Sequence, residues 1–237
     1  MATPMNAGQM STAIRVASAA ILSARNTQEM VQGVCDAAVA GNTMLGAVVF
    51  LPDSVSSWLN PVASSGELAH IFAKADPSSD PTIPEGHGLV GQAFRTGKYC
   101  ISEDVLSDHR LQLWRPLAES ASVGKAAAFP FLCKGQPVGV ISYLFSQDSG
   151  ELGAEMIEFL SRIAEILSLG MEIAEREERR RAEEEARERT ARMLAALSAT
   201  NEAMMRARTA CRVVRTGVRS RRTRRQFCFD NDPAQGN

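Results

Sequence analysis

The sequence predicts an α+β domain followed by a long helix, and three observations carry that reading. An amphipathic helical pattern opens the chain. Two strand-like runs near residues 125–147 flank a short turn. A helical pattern then runs from Glu151 to about Thr209 almost without interruption. At 237 residues the chain has room for one globular domain and an extended element. Hydrophobic residues make up 45% and aromatic residues only 5%, so the core has to rest on Ala, Val, Ile, Leu and Met.

In STAIRVASAAILSARNTQEMVQGVCDAA, Ile14, Ala17, Ile21, Met30, Val34 and Ala37 recur at helical spacing. A break near Asn26, with Thr27 as a cap, divides the run into helices at about 10–25 and 28–39. TMLGAVVFLP reads as a strand ended by Pro52 and Asp53. SVSSWLNPVASSGEL is a weaker strand interrupted by Asn60 and Pro61, and ELAHIFAKA is a short helix before the loop DPSSDPTIPEG. The segment DVLSDHRLQLWRPLAESASVG gives short helical turns split by Pro116. KAAAFPFLCKG and QPVGVISYLFSQ are strands joined through a hairpin turn at Lys134-Gly135-Gln136. In the second strand Val138, Val140, Ser142 and Leu144 share one face, and Gly139, Ile141, Tyr143 and Phe145 share the other. With Ser142 the clearly polar residue among them, both faces are expected to be covered.

Beyond residue 151, Ile157, Leu160, Ile163, Leu167 and Met171 form an apolar seam. The seam thins to Ala182 and Ala186 within EREERRRAEEEARER, where Glu175–Arg179, Glu177–Arg181, Glu183–Arg187 and Glu185–Arg189 are spaced four apart. Such pairs contribute about 0.2–0.5 kcal/mol each, enough to support a solvated helix and too little to fold one. A continuous helix over 152–209 would span roughly 85 Å, and parallel dimerisation would supply the partner helix that so long and polar a segment needs.

Residues 1–210 carry 19 basic and 25 acidic side chains, whereas residues 211–237 carry seven Arg and two Asp. That last segment is read as a disordered by-product and not as a nucleic-acid or lipid binder, because no aromatic residue interleaves its arginines before Phe227. Five scattered cysteines without a CxxC pair suggest neither a disulfide framework nor a zinc site. The first fifteen residues lack the layout of a signal peptide, and no apolar run reaches membrane-spanning length. A cytoplasmic location without membrane contact is the expectation.

GHGLVGQAFRTGKYCISEDV (86–105) matches G-x-G-x-x-G as letters, yet it follows a proline-rich loop and not a strand, and the helix after it is barely two turns long. The glycines are therefore read as framework, with Gly97 as a helix C-cap. His70, His87 and His109 do not converge on one face, so no metal site is expected. No Ser–His–Asp order or carboxylate pair stands out, so no catalytic residues are assigned and the chain is not read as an enzyme.

With these pieces in order, the chain resembles a GAF domain over about residues 12–175. GAF domains show a G-L-x-G-x-x-x-x-T-G pattern before a strand and an Asp, matched here by Gly88, Leu89, Gly91, Thr96, Gly97 and Asp104. Their P-x-x-x-x-G-x-x-x-G-V hairpin is matched by Pro130, Gly135, Gly139 and Val140. The resemblance implies a central antiparallel sheet of about six strands flanked by helices, with a ligand pocket roofed by loops and short helices. It implies a homodimer through the N- and C-terminal helices, an unidentified small-molecule ligand, and relay through the C-terminal helix to an output domain or partner signalling protein. Cyclic di-GMP enzymes and kinases are the usual outputs. It names no cofactor for this chain. Candidate pocket residues by position are His87, Glu103, Asp104, Asp108, Arg110, Trp114 and Tyr143.

The expected organisation is a tail at 1–11, the sensory domain at 12–175, a coiled-coil linker at 176–209 and the Arg-rich tail at 210–237. AILSARNT (20–27) recurs as AMMRARTA (203–210), which reads as the start of a second GAF repeat that breaks off at Cys211. Two alternatives stand beside the sensor reading: a dimerisation module without a ligand, and a small GAF-fold enzyme such as a methionine-sulfoxide reductase.

Overall fold

The computed structural model describes residues 5–40, 44–72 and 74–226, with side chains as far as Arg208 apart from His70. The chain divides into two compact units, Met1–Glu177 and Glu178–Asn237. In the first, helix α1 (Ala7–Ser23) opens with a capping box in which the Asn6 side chain accepts from the Gln9 N–H and Gln9 reaches back to Asn6. Helix α2 (Thr27–Val39) is capped one residue earlier than the sequence suggests: Asn26 Oδ1 accepts from the Glu29 N–H at 2.8 Å, and Thr27 is the first helical residue. Asn adopts the extended cap conformation at least as readily as Thr.

The sheet follows. Among the described residues it has five strands, against about six expected: β1 (Gly46–Pro52), β2 (Leu59–Ser65), β3 (Cys100–Ser102), β4 (Val123–Cys133) and β5 (Gln136–Ser146). Every pairing is antiparallel, in the order β2-β1-β5-β4-β3. Pro61 stays inside β2 because that strand is at the sheet's edge and a bulge opposite Val49 and Phe50 absorbs the irregularity. β4 and β5 are joined by a two-residue turn, with Lys134 and Gly135 both at positive φ, the conformation that matches the twist of a hairpin.

Alternation along the three central strands sends side chains into two layers. Ala47, Val49, Ala127, Phe129, Phe131, Ile141, Tyr143 and Phe145 meet the helices, where Ala17, Met30, Val34, Leu160, Ile163 and Leu167 cover them. Val48, Phe50, Ala126, Val140 and Leu144 face the other way. Val138 departs from the expected alternation: a bulge between the Phe131–Gly139 and Leu132–Pro137 pairs leaves it packed with the helix-side cluster.

The second face is covered by α3 (Ala69–Phe72), α4 (Leu89–Thr96), α5 (Arg115–Ser120) and the 3-10 turns at Pro84–Gly86 and His109–Trp114. Gly97 ends α4 at φ 64, as a left-handed C-cap. Helix α6 (Ala154–Gln226) closes the first unit with its apolar seam. At the hairpin, Ser168 Oγ accepts from the Leu132 N–H at 2.8 Å, the Cys133 thiol donates to Glu175 Oε2 at 3.1 Å, and Lys134 pairs with Glu175 Oε1. Glu175, spaced for a partner on its own helix, thus also binds the hairpin.

In the second unit α6 is solvated as far as Arg208 and carries ion pairs of i,i+4 spacing, among them Arg180–Glu184, Arg192–Glu188 and Arg206–Glu202. Its backbone continues as helix to Gln226, through the point at Cys211 where the sequence pattern breaks; arginine is itself a good helix former. The remainder of the Arg-rich tail, 227–237, lies outside the described residues.

The glycine stretch has a packing explanation. A Cβ on Gly91 would come within 2.2 Å of the Ser78 carbonyl oxygen and 2.8 Å of that of Gly86. We expect Gly91→Ala to destabilise the domain by about 2 kcal/mol or more, as overpacking against backbone does. Urea unfolding followed by circular dichroism would read this; an unchanged midpoint would refute it.

Candidate ligand cavity

Between the sheet and its roof lies a cavity of ≈ 60 Å³. Its floor is Val48 and Phe50 of β1, Ala126 of β4, and Ser142 and Leu144 of β5. Phe72, Leu89, Val105, Leu111 and Trp114 close it from above. The fourteen lining residues include no ionisable side chain. A larger outer cleft of ≈ 520 Å³ adjoins it, edged by Lys74, Asp76, Glu85 and Pro116. Ala75 and Trp114 line both spaces. Trp114 is held by its indole Nε1–H, which donates to the Ala75 carbonyl at 2.7 Å.

Of the seven residues singled out in the sequence, Trp114 lines the cavity. Tyr143 lies on β5 but on the opposite, helix-facing side, fully buried against Phe129. Its hydroxyl has no hydrogen-bond partner, and burial raises its pKa well above the ordinary value. His87 is exposed and its Nε2 donates to the Pro81 carbonyl at 3.1 Å. Glu103 accepts from Lys125 Nζ at 3.0 Å and from the Leu152 N–H at 3.2 Å, which ties β4 to the approach of α6. Asp104 accepts from the Leu106 N–H and shapes the turn after β3.

Asp108 and Arg110 form a clamp under the roof. Arg110 Nε and Nη2 both bond the Asp108 carboxylate, Nη1 reaches Gln92 Oε1 of α4 at 3.1 Å, and Nη2 reaches the Ile101 carbonyl of β3 at 2.9 Å. The clamp fixes α4 against the short edge strand. Arg95, which the sequence reading passed over, does similar work for the loop before the glycines, through its bonds to the carbonyls of Gly86 and Ser79. The reading also passed over the aliphatic lining, since Val105 and Leu111 look like any core residues. Ser142 did carry a signal, as the polar position on its face of β5.

The thiols on view are held protonated. Burial pushes Cys35 up to about 12, and its Sγ–H donates to the Ala47 carbonyl. Burial also raises Cys100, and the bond to Glu175 raises Cys133. Among the described residues no group of three or more His, Cys, Asp or Glu could hold a metal ion, and no helix is long and apolar enough to cross a membrane.

The sequence profile of the GAF domain matches residues 24–172, well over half of the chain. The chain belongs to the GAF domain family. Solved GAF structures share its fold at low identity. The GAF domain of a phosphoenolpyruvate-protein phosphotransferase from Coxiella burnetii is 17% identical, with a TM-score of 0.60 over 73% of this chain and 98% of that one. The A. aeolicus nlh2 GAF domain, in an inactive state, is 13% identical with a TM-score of 0.57, over 70% of this chain and 96% of that one. Free methionine-R-sulfoxide reductase from Neisseria meningitidis, solved with its substrate, is 16% identical with a TM-score of 0.57, over 74% and 99%. No curated protein matches closely enough to count as a relative. GAF folds thus serve in signalling proteins and in at least one kind of reductase, and fold alone does not separate the two.

The clamp has an acid signature. The Arg110 guanidinium lowers the Asp108 pKa from 3.8 to about 2, so its stabilisation is fully present above pH 3.8 and is lost as the pH falls through 2. We expect Asp108→Asn to cost on the order of 1 kcal/mol at pH 7 after solvent screening, with the difference from wild type vanishing towards pH 2. Urea titrations at several pH values would measure it; a difference independent of pH would exclude the ion pair as its source.

Proposed function

We propose that this chain is a small-molecule-sensing GAF module of a cytoplasmic signalling protein, homodimeric through α1 and α6, which relays occupancy of the cavity to an output domain or partner. The observation that carries this reading is the position of β5. Its residues Ser142 and Leu144 line the cavity, while Ile141, Tyr143 and Phe145, which alternate with them, pack against the layer that contains α1, α2 and α6. A ligand that shifts the strand on one side acts on helix packing on the other, provided it binds one arrangement better than another.

The dimer reading is supported by apolar side chains left in solvent on the terminal helices: Val16 and Leu22 on α1, and Leu169 and Ile173 on α6. Further along α6, Leu194, Leu197 and Met204 are exposed as well, as a coiled-coil seam requires. The free thiols Cys35, Cys100 and Cys133 suit a reducing compartment. Their raised pKa values disfavour the thiolate that reductase chemistry needs, which supports the sensor over the enzyme reading.

Size-exclusion chromatography with light scattering tests the assembly. The chain is expected to run as a dimer at micromolar concentration, and Leu169→Glu with Ile173→Glu to raise the dissociation constant by about a hundredfold or more, as burying unpaired charge at an apolar contact does. A monomeric wild type, or a dimer indifferent to the double substitution, would remove the helices from the proposal.

A further inference from the structure

We propose that the cavity selects a small uncharged molecule bearing one hydrogen-bonding oxygen, with Ser142 as its polar anchor and Trp114 as the gate by which it enters. The inference rests on the reading of the cavity as the ligand site and specifies what that site accepts.

Size sets the first limit. A space of ≈ 60 Å³ open to water-sized probes exceeds what one water needs and suits a small molecule or a small part of a larger one. Charge sets the second. With no ionisable residue in the lining, an ion inside would stand unpaired against aliphatic and aromatic carbon, an environment that excludes it. Cyclic nucleotides, oxo-acids and other anions therefore do not suit the inner space. Polarity sets the third. The indole N–H of Trp114 is already committed to the Ala75 carbonyl. The Ser142 hydroxyl takes part in no hydrogen bond among the described residues and stands on β5 between Val48 and Ala128 of the flanking strands. A hydroxyl both donates and accepts, so it suits an alcohol or a carbonyl oxygen alike.

Access follows from the shared wall. Trp114 separates the inner cavity from the outer cleft, and one side-chain hydrogen bond to a carbonyl holds its indole. The ring lies so close to Gly88 that a Cβ there would come within 2.4 Å of it. That glycine, in the motif whose letters imitate a phosphate loop, makes room for the gate. Swinging the indole outward breaks the Ala75 bond and joins the two spaces.

The test uses the full chain labelled with nitrogen-15, with 1-propanol as the oxygen-bearing probe and dissolved xenon as the apolar one. The Trp114 indole signal is assigned with Trp58→Phe. Both probes are expected to shift the Trp114 indole and the Ser142 and Ala126 amides saturably. Ser142→Ala is expected to weaken 1-propanol about tenfold while leaving xenon unchanged, and Ala126→Leu to abolish both. Trp114→Phe, which keeps a ring and loses the bond to Ala75, is expected to speed probe exchange at least tenfold.

Xenon entering without 1-propanol, or an indifferent Ser142→Ala, would overturn the ligand class and leave the cavity as the site. Entry of neither probe would overturn the cavity reading itself. Exchange unchanged in Trp114→Phe would overturn the gate.

Discussion

The pairing of β5 with β1 on one edge and β4 on the other is the constraint from which the domain's layout follows. A strand flanked on both edges has its polar backbone satisfied within the sheet, and here, Ser142 apart, its central side chains are apolar in both directions. Two separate layers must then cover it. The helices do so on one side at high density. On the other side α3, α4, α5 and the turns are short, and they leave the cavity. A thin roof assembled from short pieces needs polar ties, and the Asp108–Arg110 clamp, Arg95 and the Trp114 indole provide them.

Much of this layout was legible in the sequence, for physical reasons that can be named. The β4–β5 hairpin announced itself through the turn residues at Lys134-Gly135 and the period-two alternation of the strand after them, and the buried part of α6 through Leu160, Ile163 and Leu167 at three- and four-residue spacing. The glycines read as framework do behave as framework: Gly91 meets backbone and Gly97 caps a helix. These signals are local, written in the conformational preferences of a few adjacent residues.

What the sequence concealed is non-local. The bulge that turns Val138 toward the helices arises from the pairing between two strands, and no feature of Val138 foretells it. The split of Tyr143 from the cavity was available in principle, since it alternates with Ser142, yet alternation alone does not say which face will be roofed. The polar candidates Glu103, Asp104 and His87 follow from their position beside the glycine motif, and the structure uses each of them away from the cavity, in an ion pair, a turn and a loop contact. The cavity wall is aliphatic, and aliphatic residues look alike whether they line a space or fill one.

The division of labour along β5 also bears on how such a domain can change over evolutionary time. Ile141, Tyr143 and Phe145 are locked into a dense layer where a change of one methylene is felt. Ser142 and Leu144 border open volume, where a substitution alters shape and polarity with fewer neighbours to disturb. On alternate residues of one strand, the chain thus keeps a conservative register and a permissive one. New selectivities can be tried at the second, where Ser142 borders the cavity, with less disturbance to the dense helix-side layer.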